Sequence, residues 1–155
     1  MGILKDIKQT VEFADKRDEV IVNIRFTNNY INMKCNPMYK QHDITHQQYN
    51  ILRILKGSKE SLSSAQIKNR MIEQKSDVSR LIDRLVTKEL ITKTSCHKDQ
   101  RKVDISITES GLSTIHQFDK HTSEKVKQCI NLSVAEMTEL SRLLDKLRRS
   151  EDQDH

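Results

Sequence analysis

The chain has 155 residues, of which 35% are hydrophobic and 32% are charged, and its formal net charge is +5. This balance excludes a disordered chain and suits one domain with helical extensions, and no apolar run approaches the roughly 18 residues of a membrane span. We expect a cytoplasmic protein with reduced thiols, because the start of the sequence lacks a signal-peptide pattern and the three cysteines lack a C-x-x-C spacing.

The first predicted element lies within the first 36 residues. The stretch VIVNIRF, residues 20–26, is rich in β-branched side chains and is locally typical of a strand. Its apolar positions also continue at helical spacing through Val20, Ile24 and Ile31. No partner strand is evident nearby, so we predict a helix here.

Three later helix starts share one local pattern. Each has a Ser or Thr at the N-cap and a Gln or Glu three positions later, framed by apolar residues, which is a capping box with a hydrophobic staple. The pairs are Thr45 and Gln48, Ser63 and Gln66, and Ser133 and Glu136. Together with the apolar periodicity, they predict helices over residues 46–56, 64–72, 77–89, 109–131 and 134–149.

The period of the pattern changes between Ile91 and Ile107. In KVDISI, the apolar residues Val103, Ile105 and Ile107 alternate with polar ones, which is typical of a half-buried strand. The segment ITKTSC, before a charged turn, is its predicted antiparallel partner. We therefore predict a mainly α fold with a small β-hairpin, in the order helix, helix, helix, hairpin, helix, helix.

The short helix, the longer helix after it and the hairpin predict a winged helix-turn-helix. The longer helix has one apolar stripe to pack on its neighbour and an opposite polar face that can enter a DNA major groove. On that face, Ser76 and Ser79 allow close approach, and Arg80 and Arg84 can bind guanine or phosphate. Residues 75–102 hold eight Lys and Arg against four Asp and Glu, which is +4 of the chain's +5 and favours a polyanionic partner.

Two acidic residues interrupt this basic face. We interpret Asp77 as a partner of the helix dipole in the first turn, and we expect Asp83 to form a surface ion pair with Lys88 or Arg84. A charged face that is simply solvated is the alternative interpretation of any amphipathic helix. The adjacent hairpin and the local charge excess favour DNA binding.

Two motifs between residues 44 and 111 resemble the MarR family of bacterial transcription regulators. The family's D-x-R…L-T-x-x-G pattern is matched by Asp99, Arg101, Ile107, Thr108 and Gly111. The segment SRLIDRL, residues 79–85, is similar to the family's recognition helix. One departure is Glu89, which stands where the family commonly has Gly and leaves open the angle between the recognition helix and the wing.

The resemblance implies a role for each matched position. Arg101, at the wing tip, would enter the minor groove, and Asp99 would shape the tip through ion pairs without touching DNA. The remaining residues of the implied DNA interface are Lys75, Ser76, Ser79, Arg80, Arg84, Lys98 and Lys102.

The resemblance also implies a homodimer. Residues 1–43 and 109–155 would supply dimerisation helices on either side of a DNA-binding lobe formed by residues 44–108. A twofold dimer would bind a pseudo-palindromic site with half-sites about one DNA turn apart. A small-molecule effector would lie between the dimerisation helices and the lobe and alter the separation of the recognition helices.

No pattern in the sequence predicts an enzyme, a metal site or a cofactor. His116 and His121 are five residues apart, roughly 140° around a helix, which is poor for sharing a metal ion. We find no nucleophile–base pair, phosphate loop or pair of carboxylates. Cys96, whose neighbours are basic, and Cys35 are the candidates for a redox-sensing thiol.

The function predicted from the sequence is a cytoplasmic, homodimeric, sequence-specific DNA-binding regulator, a repressor released by a small ligand. Its predicted partners are double-stranded DNA, a second copy of the chain and a small-molecule effector, with no membrane. Two alternatives stay open: a winged-helix module for protein–protein assembly, and a regulator that senses oxidants through a thiol.

Overall fold

The computed structural model of the chain describes residues 2–73, 75–96 and 99–149, without the side chains of residues 96, 99–102 and 121–129. Its helices are α1 (Ile3–Asp6), α2 (Lys16–Gln41), α3 (His46–Lys56), α4 (Ser64–Arg70), α5 (Val78–Thr87), α6 (Glu109–Cys129) and α7 (Val134–Arg148), and its strands are β1 (Ile91–Cys96) and β2 (Asp99–Ile107). The predicted mainly α fold with one hairpin is confirmed. The chain divides into two compact units, residues 1–122 and 123–155. Within the described ranges, no helix is long and apolar enough to cross a membrane.

The three predicted capping boxes are all present. In each, the N-cap side chain accepts a hydrogen bond from the backbone N–H three residues later, and the Gln or Glu there accepts one from the N-cap N–H. Four helices are shorter than predicted, since α4, α5, α6 and α7 end at Arg70, Thr87, Cys129 and Arg148. Met71 already has an extended backbone, so α4 stops before it, and Asp77 is the N-cap of α5 and not its first helical residue.

The ambiguous stretch near the start of the chain is helical. α2 begins after Asp15, whose carboxylate accepts a hydrogen bond from the N–H of Arg17, and it continues to Gln41. Val20 and Ile31 are 46% and 51% exposed on this helix. The spacing of the apolar residues was therefore a better indicator of the structure than their β-branching. α2 also keeps apolar side chains that the rest of the first unit does not cover.

The hairpin has the predicted antiparallel strands. β1 and β2 are antiparallel, with Ile91 opposite Ile107 and Lys93 opposite Ile105. Leu62, just before α4, extends this sheet by exchanging backbone hydrogen bonds of 3.0 and 2.9 Å with Ile105. Because Ile105 is completely buried, this contact fixes the base of the hairpin to the helical core.

The core of the first unit is mainly aliphatic, as the low aromatic content predicts. The apolar stripe of α5 turns inward, with Ile82 and Leu85 completely buried. The largest fully buried side chains are Phe118, Ile51, Leu52, Ile67, Ile82, Leu85, Ile91, Ile105 and Ile115. Burying a side chain of this size contributes about 1.5–3 kcal/mol, so α5 is held by its inner face and its outer face is left to solvent.

Thr108 and Gly111 join the end of the hairpin to α6. The hydroxyl of Thr108 donates to the carbonyl of Glu89 (2.8 Å) and accepts from the N–H of Gly111 (3.0 Å). A Cβ at Gly111 would lie 2.2 Å from the carbonyl oxygen of Leu90, which no side chain can tolerate. The T-x-x-G part of the sequence pattern is therefore a helix cap followed by a close backbone contact.

Glu89, just after the end of α5, has a left-handed backbone conformation. Its φ is 57°, the region that favours glycine, and it follows the C-cap residue Lys88. Glu89 thus adopts the conformation that Gly commonly supplies at this point. The departure in sequence has not changed the type of helix ending.

In the second unit, α7 starts at a capping box but buries none of its residues. Its exposed apolar side chains are Val134, Met137, Leu140, Leu143 and Leu147. They recur at helical spacing, which gives α7 a continuous apolar face.

Candidate nucleic-acid interface

The outer face of α5 is the centre of the candidate interface. Asp77 caps the helix by accepting a hydrogen bond from the N–H of Arg80 (3.2 Å), a more specific role than the predicted dipole partner. Ser79, Arg80 and Arg84 are exposed on the helix. In the described part of the chain, neither guanidinium has a hydrogen-bond or ion-pair partner within the protein, so both are available to an external anion.

The turn before α5 holds two more of the predicted residues. Lys75 is exposed, but Ser76 is half-buried and its hydroxyl lies 3.5 Å from Glu73 Oε2. The same carboxylate accepts a hydrogen bond from Gln47 (3.1 Å) and lies 3.4 Å from Nδ1 of His46. An open depression of about 490 Å³ borders this turn. Glu73 thus competes with any external partner for the hydroxyl of Ser76.

Asp83 pairs with the wing and not with its own helix. The prediction of a pair with Lys88 or Arg84 was wrong, because Lys93 of β1 donates to Asp83 Oδ1 at 2.5 Å. Lys88 instead binds the carboxylate of Asp43 at 2.8 Å, at the turn between α2 and α3. Asp83 thus connects α5 to the hairpin, and Lys88, the residue after α5, connects it to the turn between α2 and α3. Distance along the sequence does not reveal either pair.

The predicted wing residues fall largely outside the described structure. The backbone of Asp99, Arg101 and Lys102 belongs to β2, but their side chains, like that of Cys96, lie outside the described residues, as does the whole of Lys98. The roles of these residues therefore stay predictions.

Cys35, the other candidate thiol, is half-buried in α2. Burial, and to a smaller extent the neighbouring Cys35, raises the pKa of Tyr39 to about 12. Among the residues that the structure describes, no three or more His, Cys, Asp or Glu side chains are grouped as a metal site requires.

Asp119 of α6 forms the polar joint between that helix and α3. Its carboxylate accepts hydrogen bonds from the hydroxyl of Tyr49 (2.6 Å), from Arg53 (3.1 Å) and from Lys56 (3.3 Å). Burial raises the pKa of Asp119, but the hydrogen bonds from Tyr49 and Lys56 and the charge of Arg53 outweigh this, so the net pKa is lowered. Burial, together with the bond to Asp119, raises the pKa of Tyr49.

An aromatic cluster lies beside this joint. The ring of Phe118 stacks on Tyr39 of α2, with centroids 4.8 Å apart, and contacts Tyr49 of α3 at 4.3 Å. Such ring pairs add about 0.5–1.5 kcal/mol beyond their burial. The end of α2, the start of α3 and the first half of α6 are thus fixed together in the first unit.

The arrangement of these elements, with an exposed helix after a turn and a hairpin after that, is the geometry of a DNA-binding winged helix. Residues 44–103 match the sequence model of the MarR family. These residues form a MarR-family domain. The resemblance found in the sequence motifs is confirmed, and the MarR-family domain extends from the start of α3 into β2.

Known proteins similar to the chain agree with this assignment. The HTH-type transcriptional regulator MgrA of Staphylococcus aureus is 29% identical over 118 residues, which cover 76% of this chain and 79% of MgrA. A cysteine mutant of E. coli MarR complexed with operator DNA has a TM-score of 0.75 at 23% identity, over 88% of this chain and 100% of that one. The organohalide-sensing regulator RdhR, bound to 2,4-dichlorophenol, has a TM-score of 0.77 at 23% identity, over 90% of this chain and 81% of that one.

These likenesses establish the fold and the class of function. At 23% identity the two structures support the winged-helix fold alone. The family matched by residues 44–103 and the MgrA relative are transcription regulators, not enzymes.

Sequence reasoning missed Lys93 and Asp119. Lys93 lies in a strand and Asp83 in a helix, and no periodicity links the two. Asp119 lies 70 residues from Tyr49, and only the packing of α6 on α3 brings them together. The available signal was an acidic residue next to an aromatic one, Phe118, which is too common a pattern to select.

Proposed function

We propose that the chain is a sequence-specific regulator that binds a pseudo-palindromic operator as a homodimer and acts as a repressor released by a small ligand. The observation that carries the proposal is the exposed face of α5. Arg80 and Arg84 lie one turn apart on a helix whose opposite side is fully buried, and neither is paired within the described structure. A rigid helix with uncommitted guanidinium groups suits guanine recognition in a major groove.

The proposed contacts divide between helix and wing. Lys75, Ser79, Arg80 and Arg84 bind in the major groove or to its phosphates, with Ser76 contributing once its hydroxyl leaves Glu73. Lys98, Arg101 and Lys102 bind at the wing, where Arg101 enters the minor groove and Asp99 shapes the tip. The complex of E. coli MarR with operator DNA supports this use of the fold.

A second copy of the chain is the proposed cover for the exposed apolar residues of α2 and α7. Single exposed apolar residues are normal on protein surfaces, but here they recur along two helices, which is typical of a surface that another protein covers. The proposal assigns dimerisation to residues 1–43 and 109–155 and DNA binding to residues 44–108. It also assigns the protein to the cytoplasm, where the operator is accessible.

A small ligand is also proposed to control the binding of DNA. The joint of α2, α3 and α6, with its aromatic cluster, links the end of α2 and the first half of α6 to the first helix of the proposed DNA-binding lobe. RdhR has been solved with a chlorinated phenol, which supports an aromatic effector for this fold. A ligand that separates these rings would change the tilt of α3 and thereby the position of α5.

The proposal is tested by selecting bound duplexes from a random library with the full-length chain. The expected result is an inverted repeat whose half-sites are about one helical turn apart, bound by two chains per duplex. Enrichment of no sequence, together with binding that does not depend on salt, would contradict it and favour a protein–protein module. Peroxide treatment of Cys35→Ser and Cys96→Ser variants tests the redox alternative, which requires that substitution abolish oxidant-induced release.

A further inference from the structure

An acidic residue lies in the middle of the face that is proposed to bind DNA. Asp83 lies three positions after Arg80, so the two side chains are neighbours on the exposed surface of α5, and the exposed Arg84 is the next residue. Without a cationic partner, this carboxylate would repel DNA phosphates, because phosphates bound to α5 would be closer than the screening length of about 8–10 Å at physiological salt. It would also compete with DNA for the two guanidinium groups.

The carboxylate of Asp83 is instead directed to the wing. Lys93 of β1 holds it at 2.5 Å, while Arg80 and Arg84 make no ion pair with it. The side chains of Lys93 and Asp83 are 38% and 66% exposed, so the ion pair is in contact with solvent. A surface pair of this kind contributes about 0–1 kcal/mol to folding, which makes it a weak stabilising device.

Resting on the proposed function, we propose that Lys93 is a positioning residue for DNA recognition. Its ammonium neutralises Asp83 and draws the carboxylate towards β1, which leaves Arg80 and Arg84 free for DNA. The pair also links the two DNA-binding elements, α5 and the hairpin, so that they present one continuous cationic surface. Lys93 acts through Asp83 and makes no direct contact with the duplex.

A double-mutant cycle on the full-length chain tests this role. The probe is the selected duplex, and its affinity is measured by fluorescence anisotropy over a series of salt concentrations for Lys93→Gln, Asp83→Asn and the double variant. Lys93→Gln is expected to weaken binding about fivefold, because Asp83 becomes an uncompensated acid. The double variant is expected to bind within about twofold of the unmodified chain, and Lys93→Arg is expected to retain affinity.

Two controls separate this role from other causes. Lys40→Gln removes the same charge from an exposed position on α2 and is expected to leave affinity unchanged. Thermal unfolding of Lys93→Gln is expected to match that of the unmodified chain, since the pair is exposed.

The proposal fails if Asp83→Asn does not rescue Lys93→Gln. Equal losses in the single and double variants, with a salt slope reduced by about one, would make Lys93 a phosphate contact. No loss in Lys93→Gln would also overturn it. Failure of the proposed function is distinguishable, because the unmodified chain would then select no duplex at all.

Discussion

Glu89 and Gly111, two single residues on either side of the hairpin, fix how the recognition helix leads into the wing. Glu89 has a φ of 57°, and its carbonyl accepts a hydrogen bond from Thr108. Gly111 lies against Leu90, at a distance that excludes any side chain. Glu89 therefore bears the cost of a left-handed backbone, and Gly111 leaves no room for a side chain.

Gly111→Ala is expected to destabilise the protein by about 1–3 kcal/mol, because the new Cβ would meet backbone atoms that cannot move independently. Thermal unfolding followed by circular dichroism measures the loss. Gly57→Ala is the matched control, since its Cβ would meet the nearest atom at 3.4 Å, an ordinary contact. Equal stability of the two variants would contradict the close contact at Gly111.

Glu89→Gly is expected to stabilise the protein by about 0.5–1 kcal/mol. The left-handed conformation costs a residue with a Cβ about 1–2 kcal/mol, and glycine's greater chain entropy offsets part of that gain. Chemical denaturation measures the change. Glu89→Ala keeps the Cβ and is expected to bring no gain, so a similar increase in both variants would exclude the conformational explanation.

At the scale of elements, the joint between α3 and α6 depends on Asp119. Three donors from one helix meet a single carboxylate of the other, next to the stacked rings of Tyr39 and Phe118. The lowered pKa of Asp119 means that its ionised form is favoured in the folded state. A folded-state pKa below the unfolded one adds stability at neutral pH, and that contribution is lost as the pH falls through the folded value.

Asp119→Asn is therefore expected to lower stability by about 1 kcal/mol at pH 7, where the ion pairs with Arg53 and Lys56 are lost. The difference from the unmodified chain should shrink as the pH falls below the usual carboxyl pKa of 3.8, because Asp119 then becomes neutral too. Urea denaturation at a series of pH values measures it. A difference that stays constant with pH would show that the charge of Asp119 is irrelevant.

How far the sequence predicted these elements depends on how local their causes are. Thr45, Ser63 and Ser133 cap their helices through partners three residues away, so all three starts were predictable. The second strand of the hairpin was predictable from the strict alternation around Ile105, but its register was not predicted. The partners of Asp83 and Asp119 were not predictable, because packing between distant elements selects them.

At the scale of the whole molecule, α2 and α7 both keep apolar side chains exposed to solvent. Leu143 and Leu147 are 47% and 58% exposed on α7. Burial of such side chains contributes about 1.5–3 kcal/mol each when they are fully covered. A dimer that covers them would make stability depend on protein concentration.

Leu143→Asp is expected to shift the chain from dimer to monomer and to weaken operator binding, since a monomer engages only one half-site. Analytical ultracentrifugation over a range of concentrations measures the dissociation. Ser141→Asp adds the same charge at an exposed polar position of the same helix and is expected to leave the dimer intact. A monomeric unmodified chain, or a Leu143→Asp dimer of unchanged affinity, would refute this assembly.

The central claim is that the exposed face of α5 binds DNA, and the affinity of Arg80→Ala for the selected duplex tests it most directly. The control is Arg25→Ala, which removes an exposed arginine from α2. We predict that Arg80→Ala weakens binding by about 1–3 kcal/mol and that Arg25→Ala has no effect. Equal affinity of Arg80→Ala and the unmodified chain at every salt concentration would contradict the claim.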